Sequence, residues 1–225
     1  MWTGDPDCNA AHVALLQRLQ AFGTPFIGTG EAITLSQQGN LGEFISLHIA
    51  LSGPLGTMEK FAQNALQPLS GISISGLDLT YVYFDPTSEK NDLIYIQEVK
   101  TTCAANLNTL DKLRTDYRKL FSTDLNLTLQ TRIQCLASKF EIERNNPGHA
   151  VRVQKLAATT PQQCTSVRLI PTGVHQLGVG DPVQKMVAIK TAITAFGWDQ
   201  AAISPWAVAL SDLSNRLLHL AQAQL

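Results

Sequence analysis

Two stretches of the chain alternate β-branched and aromatic residues with polar ones, and a turn-prone segment separates them. The first reads ISISGLDLTYVYF at residues 72–84 and the second reads LIYIQEVKTT at residues 93–102, with DPTSEKND in between. Such alternation predicts strands, and a polar connection of this length predicts an antiparallel hairpin. Gly76 also allows the first run to be divided into two shorter strands.

Apolar residues at helical spacing predict helices on both sides of this hairpin. Start and stop signals, namely Gly-Pro pairs, Asp-Pro and Ser/Thr/Asp clusters, divide them into segments. The predicted helical segments are residues 8–22, residues 40–66 with a break at Gly53-Pro54 and a shorter helix that resumes near Met58, residues 106–143 with a break at STDLN, a helix capped by Asp181 and Pro182, and residues 205–225.

A later strand-like run, SVRLIP, is predicted to stop at Pro171, and the preceding NNPGHA segment is predicted to be a loop. The order of helix, hairpin, helices, strand and helix indicates an α/β protein with one mixed sheet. At 225 residues the chain is long enough for one substantial core. We therefore expect a single domain over residues 1–225, with a core at about 40–198 and helices 8–22 and 205–225 as additions.

Composition narrows the class of protein. Hydrophobic residues make up 44% of the chain and the formal net charge is -1, which argues against a non-specific nucleic-acid coat protein. The four cysteines form no CxxC pair, so we expect free thiols in a reducing compartment rather than a zinc site. The chain has no apolar run of membrane-spanning length and no signal-like start, so we expect a cytoplasmic protein without membrane contact.

Three charged residues fall within or beside the predicted strands. Glu98 and Lys100 are two positions apart, so their side chains leave the same face of the strand. A hairpin of this length would bring Asp78 beside Glu98. Two adjacent carboxylates repel each other, and a hard divalent cation such as Mg²⁺ or Mn²⁺ removes that conflict. A cation with a positioned water suits hydrolysis of a phosphodiester.

The GLD segment at residues 76–78, followed by IQEVK at residues 96–100, resembles the PD-(D/E)XK nuclease superfamily. The resemblance implies a restriction-endonuclease-like core, with a central mixed sheet flanked by helices in the order αβββαβ. The predicted elements match this order in full only if ISIS is counted as the first strand. Leu77 stands where the motif's name has proline, a variation that the family tolerates.

The resemblance also implies roles for individual residues. Asp78 and Glu98 would bind the metal together with the backbone carbonyl of Val99, and Lys100 would orient and activate the attacking water. The family often adds an acid from the first core helix, and Glu43 in GNLGEFISLHIA is the matching residue. The alternative for Glu43 is a solvated glutamate on a helix. Gln97 lies on the opposite strand face, so we expect it to be structural.

Basic residues between 112 and 155 predict a modest positive patch beside this site. Arg114 and Arg118, at i and i+4 on a helix, could meet phosphates of a nucleic acid. The alternative is an ordinary ion-paired helix face, since Lys112 and Asp116 share the same spacing.

These features predict a Mg²⁺-dependent deoxyribonuclease, a phosphodiester hydrolase that serves as the effector subunit of a defence, restriction or repair complex. A narrower resemblance, not based on a motif, is to the HamA-like nuclease subunits of bacterial antiphage systems. The expected partners are DNA and either a helicase or ATPase or further copies of the chain. The alternative is a non-catalytic binding or assembly module that retains the nuclease fold. A serine or cysteine hydrolase finds no support, because GxSxG is absent.

Overall fold

In the computed structural model, the described part of the chain contains six α-helices and one mixed sheet of five strands. It comprises residues 34–52, 59–61, 79–121, 129–142 and 145–222. The helices are α1 (Leu35–Ser52), α2 (Lys112–Lys119), α3 (Leu129–Ile142), α4 (Pro147–Gln154), α5 (Pro182–Thr194) and α6 (Leu213–Gln222). The strands are β1 (Glu59–Phe61), β2 (Leu79–Tyr83), β3 (Leu93–Thr102), β4 (Val167–Gln176) and β5 (Trp206–Leu210).

The sheet has the strand order β1-β2-β3-β4-β5. Strand β2 runs antiparallel to both of its neighbours, β1 and β3, and β3, β4 and β5 run parallel. The prediction of an α/β protein with one mixed sheet is therefore confirmed, as is the antiparallel pairing of β2 with β3. None of the described helices is long and apolar enough to cross a membrane. The predicted helix 8–22 and the ISIS segment lie outside the described residues.

The carboxylate of Asp85 accepts the hydrogen bonds that stabilise the turn between β2 and β3. The hydroxyl and backbone N–H of Thr87 both donate to its carboxylate, and the backbone N–H of Ser88 donates as well. These bonds favour the ionised form and lower the pKa of Asp85 to about 2. Asp85 is therefore a turn residue of the hairpin, as the turn-prone DPTSEKND segment predicted.

Side chains of β3 alternate between two cores, one on each face of the sheet. Ile94 and Ile96 belong to the core that α2, α3, α4 and α5 cover. Val99 points to the other face, where it shares a core with Leu41 of α1 and Leu213 of α6. Helices thus cover both faces of β3, which leaves little room for an uncompensated charge on this strand.

The prediction that the SVRLIP strand ends at Pro171 is wrong, because β4 continues to Gln176. The N–H of Ser204 donates to the carbonyl of Leu169 at 2.9 Å, so the backbone of Leu169 faces the β5 side. Pro171, two residues further along the strand, faces the same side. Its missing N–H falls before β5 begins to pair at Trp206, and the ladder with β3 stays intact.

Three further predictions need correction. A strand, β1, stands where a helix was expected to resume near Met58. The NNPGHA segment is not a loop, since the side chain of Asn146 caps α4 and Pro147 occupies its first turn. The expected helix 205–225 begins instead with β5, and only α6 is helical. By contrast, the Asp181 cap of α5 is confirmed. The predicted break at Gly53-Pro54 lies outside the described residues.

Helix α1 lies close against β3 because residue 42 is glycine. A Cβ atom at Gly42 would lie 1.7 Å from Oγ1 of Thr101, a distance that no side chain can tolerate. At Gly39, three residues earlier in the same helix, a Cβ atom would meet nothing within 4 Å. Glycine is therefore required by packing at one position of α1 and not at the other.

We predict that Gly42→Ala lowers the free energy of unfolding by about 1–3 kcal/mol, because the added methyl group forces Thr101 and the backbone apart. Gly39→Ala is the matched control and should raise it by up to about 1 kcal/mol, since alanine is the better helix former. Urea unfolding measures both effects. Thr101→Ala should recover part of the Gly42→Ala loss, and a Gly42→Ala protein as stable as the unmodified chain would contradict the close approach.

Candidate active site

Strand β3 extends beyond the described part of its ladder with β2. The last described antiparallel pair joins Leu79 to Gln97, whereas β3 stays paired with β4 as far as Thr102. Glu98 and Lys100 lie in this extension. Their side chains contact α3 and α2 respectively, on the same face of the sheet. The prediction that they share a strand face is therefore confirmed.

Glu98 is a buried carboxylate with a buried cationic partner. Its side chain is 4% exposed and that of Arg132 on α3 is 8% exposed. Nη1 of Arg132 donates to Oε1 of Glu98 at 3.2 Å. The positive charge of the guanidinium compensates the carboxylate, whose burial without a partner would cost several kcal/mol.

Lys100 is held between a carboxylate and a backbone carbonyl. Its Nζ lies 2.8 Å from Oδ2 of Asp116 on α2 and donates to the carbonyl of Val99 at 3.2 Å. The Lys100 and Asp116 side chains are 22% and 18% exposed. The ammonium group is thus near the surface and fixed in direction, at the edge of the buried Glu98 site.

Asp116 also accepts a hydrogen bond from Lys119 at 3.1 Å. Its ion pairs are therefore with Lys119 and Lys100. Helical spacing had predicted a pair with Lys112 instead. Burial by itself would raise the pKa of Asp116. The attraction of Lys100 and the hydrogen bonds from Lys100 and Lys119 outweigh burial, and the pKa is lowered. The carboxylate is therefore ionised at neutral pH and acts as the anchor of Lys100.

Tyr117 fixes the backbone that carries Glu98. Its buried hydroxyl donates to the carbonyl of Ile96 and accepts from the backbone N–H of Glu98, both at 3.2 Å. Helix α2 therefore binds β3 through two neighbouring residues, Asp116 and Tyr117. This double attachment holds Glu98 and Lys100 in a defined orientation relative to each other.

Gln97 has the structural role that its position predicted. It accepts a hydrogen bond from the hydroxyl of Tyr81 at 2.6 Å and donates to Oγ1 of Thr172 at 2.8 Å. These contacts join β2, β3 and β4 on the face opposite to Glu98. Burial raises the pKa of Tyr81, so the phenol stays protonated and continues to donate.

The two other acids that were proposed as site residues are Asp78 and Glu43. Asp78 lies outside the described residues. In sequence it precedes Leu79, and Glu98 follows Gln97, the residue that pairs with Leu79. Glu43 is half-buried on α1, which packs on the β3 face opposite to Glu98. The contribution of Glu43 to a metal site stays a prediction.

Oxygen donors that suit a hard cation are present, although they do not form a complete set. The carboxylate of Glu98 and the carbonyl of Val99 are of the kind that Mg²⁺ and Mn²⁺ prefer. Within the described ranges, no three His, Cys, Asp or Glu side chains come together as a metal-binding group. A second acidic ligand beside Glu98 would come from beyond those ranges if Asp78 supplies it.

Ion pairs neutralise most of the basic residues that were expected to form a positive patch. Arg114, itself half-exposed, is paired with Asp111 at 2.8 Å. Arg118 is exposed, and its guanidinium carbon lies 5.8 Å from the centre of the Phe196 ring. The other pairs are Lys119 with Asp116, Arg132 with Glu98, Arg152 with Asp92 and Lys155 with Glu89.

Arg132 and Asp116 are the site residues that the sequence analysis missed as partners of Glu98 and Lys100. A signal for both exists in the helical pattern. Arg132 lies on the apolar stripe of α3 with Leu129 and Leu136, and Asp116 is next to the buried Tyr117 of α2. A charged residue within a buried helix stripe requires a partner of opposite charge, so these positions predict buried ion pairs.

No protein-family model, no curated protein and no solved structure matches this chain. Its function therefore has to be inferred from the geometry of the residues around β3.

We predict that Asp116→Asn lowers the stability of the protein at neutral pH and weakens its acid dependence. The pKa of Asp116 in the folded protein lies below the ordinary aspartate value of 3.8, so its stabilising contribution is present above that pH. The contribution is lost as the pH falls through the lowered folded pKa. Unfolding free energies of the variant and the unmodified chain should therefore differ at pH 7 and converge in acid.

Glu141 on α3 is exposed, and Glu141→Gln provides the control for a change of charge without a buried partner. It should alter stability by no more than about 0.5 kcal/mol at pH 7. If the unfolding free energies of Asp116→Asn and the unmodified chain differ by the same amount from pH 7 to acid, an ionised Asp116 that anchors Lys100 is contradicted.

Proposed function

We propose that this chain is a metal-dependent nuclease of the PD-(D/E)XK type, which hydrolyses phosphodiester bonds of DNA. The observation that carries the proposal is the placement of Glu98 and Lys100. They project from one face of a central strand, in the part of β3 that extends past the described ladder with β2. A carboxylate and an ammonium group at that position fit the E and K of the motif.

The order of elements supports the proposal. Helix α1 precedes three strands in an antiparallel arrangement, helices α2 to α4 follow, and β4 returns parallel to β3. This order is compatible with the αβββαβ order that the resemblance implies, if β1 takes the part that was expected of ISIS. We regard β5 and α6 as additions to this core. The function further requires that the β2–β3 register continue by one pair, since that pair would consist of Asp78 and Glu98.

In the proposed reaction, Glu98, Asp78 and the carbonyl of Val99 would hold Mg²⁺ or Mn²⁺. The bound ion would neutralise the charge that develops on the phosphoryl oxygens and lower the pKa of water at the site. Lys100 would orient the attacking water through its Nζ donors. Asp116 is then a positioning residue, because it directs the ammonium group of Lys100 without itself reaching the phosphate.

We predict that Glu98→Gln and Lys100→Met each reduce Mg²⁺-dependent cleavage of DNA by at least about a hundredfold, since each removes a group that acts on the transition state. Plasmid and oligonucleotide cleavage assays at fixed protein concentration measure the loss. Lys155→Met is the matched control, because it removes a lysine from an exposed ion pair with Glu89, away from the site. Undiminished cleavage by either site variant, with the fold intact by circular dichroism, would exclude the assignment.

Arg118 is an exposed basic residue of α2, the helix that anchors Lys100, and we propose that it contacts a DNA phosphate. We predict that Arg118→Ala weakens DNA binding and reduces the slope of log K against log salt by about 1. Arg114→Ala should have the smaller effect, because Asp111 already neutralises Arg114. Binding isotherms of a duplex at several salt concentrations test this, and equal slopes for Arg118→Ala and the unmodified chain would contradict a phosphate contact.

Targeting of the nuclease is expected to depend on a partner. The net charge of -1 and the neutralised patch provide little general attraction to DNA. We therefore propose that a helicase, an ATPase or further copies of this chain deliver the substrate, within a cytoplasmic defence, restriction or repair complex.

A second candidate function, a non-catalytic binding or assembly module with the same fold, is favoured by the ion pairs themselves. Arg132 and Asp116 already compensate Glu98 and Lys100, so these charges do not require a metal for stability. Calorimetric titration with Mn²⁺ separates the two functions. A nuclease should bind the ion and lose that binding in Asp78→Asn, whereas an assembly module should bind no ion in either protein.

A further inference from the structure

We propose that Arg132 competes with the divalent cation for Glu98, so that the Arg132–Glu98 ion pair sets the metal affinity of the site. This inference rests on the proposed function, since it presupposes that Glu98 is a metal ligand. It assigns to Arg132 a regulatory role that neither the motif nor the charge pattern of the sequence describes. Arg132 does not act on the substrate.

The contact between the two residues is direct and shielded from water. Nη1 of Arg132 lies 3.2 Å from Oε1 of Glu98, with the side chains 8% and 4% exposed. A cation that binds Glu98 must either replace the guanidinium or remain beside it. Both arrangements disfavour metal binding, because the first loses a charge-assisted hydrogen bond and the second places like charges together in a poorly solvated region.

The position of Arg132 indicates that stability is not the reason for its charge. It lies on the apolar stripe of α3, among Leu129, Ile133 and Leu136. Its Nε is buried and has no hydrogen-bond partner among the described residues. An apolar residue paired with a neutral one at position 98 would avoid the cost of desolvating two charges. A buried, incompletely bonded arginine is better explained by its action on the carboxylate that it touches.

The described charges around Glu98 are compensated without a metal. Glu98 and Asp116 contribute two negative charges, and Arg132, Lys100 and Lys119 contribute three positive ones. Addition of a divalent cation brings further positive charge to this cluster, and removal of the Arg132 charge would shift the cluster toward metal binding.

The test is calorimetric titration of Mn²⁺ into the full chain at pH 8, with no nucleic acid present. Arg132→Met should bind Mn²⁺ at least about tenfold more tightly than the unmodified protein, because a buried carboxylate that has lost the neighbouring guanidinium has more to gain from a cation. Arg152→Met is the matched control. It removes an arginine from an ion pair with the buried Asp92, which precedes β3 at the end remote from Lys100, and should leave the Mn²⁺ affinity unchanged.

Arg132→Met removes a charged partner of the buried Glu98 and therefore lowers the stability of the fold. Arg132→Gln is therefore the second variant, because the amide can still donate to Glu98 while the charge is removed. It should also bind Mn²⁺ more tightly than the unmodified chain. Addition of Glu98→Gln to either variant should abolish the gain, since the carboxylate on which the cation and the guanidinium compete is then absent.

The outcomes separate this inference from the proposed function. Equal or weaker Mn²⁺ binding by folded Arg132 variants, with binding by the unmodified chain, would overturn the competition and leave the nuclease assignment standing. An absence of Mn²⁺ binding in the unmodified chain and in both variants would overturn the metal site and the competition with it. Tighter binding in Arg152→Met as well would show a general effect of destabilisation and would also overturn the competition.

Discussion

The rest of the site depends on one constraint: charged side chains on a strand that is covered on both faces must have partners of opposite charge. The strand β3 contributes Ile94 and Ile96 to one core and Val99 to the other, so it passes between two layers of helices. Glu98 and Lys100 are nevertheless charged. Each is matched by a residue of opposite charge from the helices that follow β3, with Arg132 opposite Glu98 and Asp116 opposite Lys100. Helices α2 and α3 are thereby fixed over the same few residues of the strand.

The same arrangement connects stability with chemistry. Tyr117 binds the backbone on both sides of Gln97, and Asp116, its neighbour in α2, binds Lys100. A shift of α2 would therefore move the ammonium group and the strand together. Gly42 supplies the equivalent constraint from the opposite face, where it lets α1 approach Thr101. The proposed catalytic groups thus lie on a segment of the sheet that helices hold from both faces, as a preorganised site requires.

Local signals account for the parts of the fold that the sequence predicted correctly. Alternation of apolar and polar residues located the β2–β3 hairpin, and Asp181-Pro182 located the start of α5. The failures occurred where tertiary contacts override a local rule. Pro171 ordinarily stops a strand, but its missing N–H faces the side of β4 where β5 has not begun to pair. The signals at Asn146 and Pro147 were present but were interpreted as a loop.

For the site, the sequence by itself determined that Glu98 and Lys100 share a face of one strand, because side chains in a strand alternate with a period of two. It also supplied the resemblance from which a metal and a nuclease activity are proposed. Only the tertiary structure decided which charges oppose them. Arg132 and Asp116 are 34 and 16 residues away in sequence, and no local rule selects them among the other basic and acidic residues. The packing of α2 and α3 on one sheet face made that choice, because buried charges are stable only where a partner of opposite sign lies within reach.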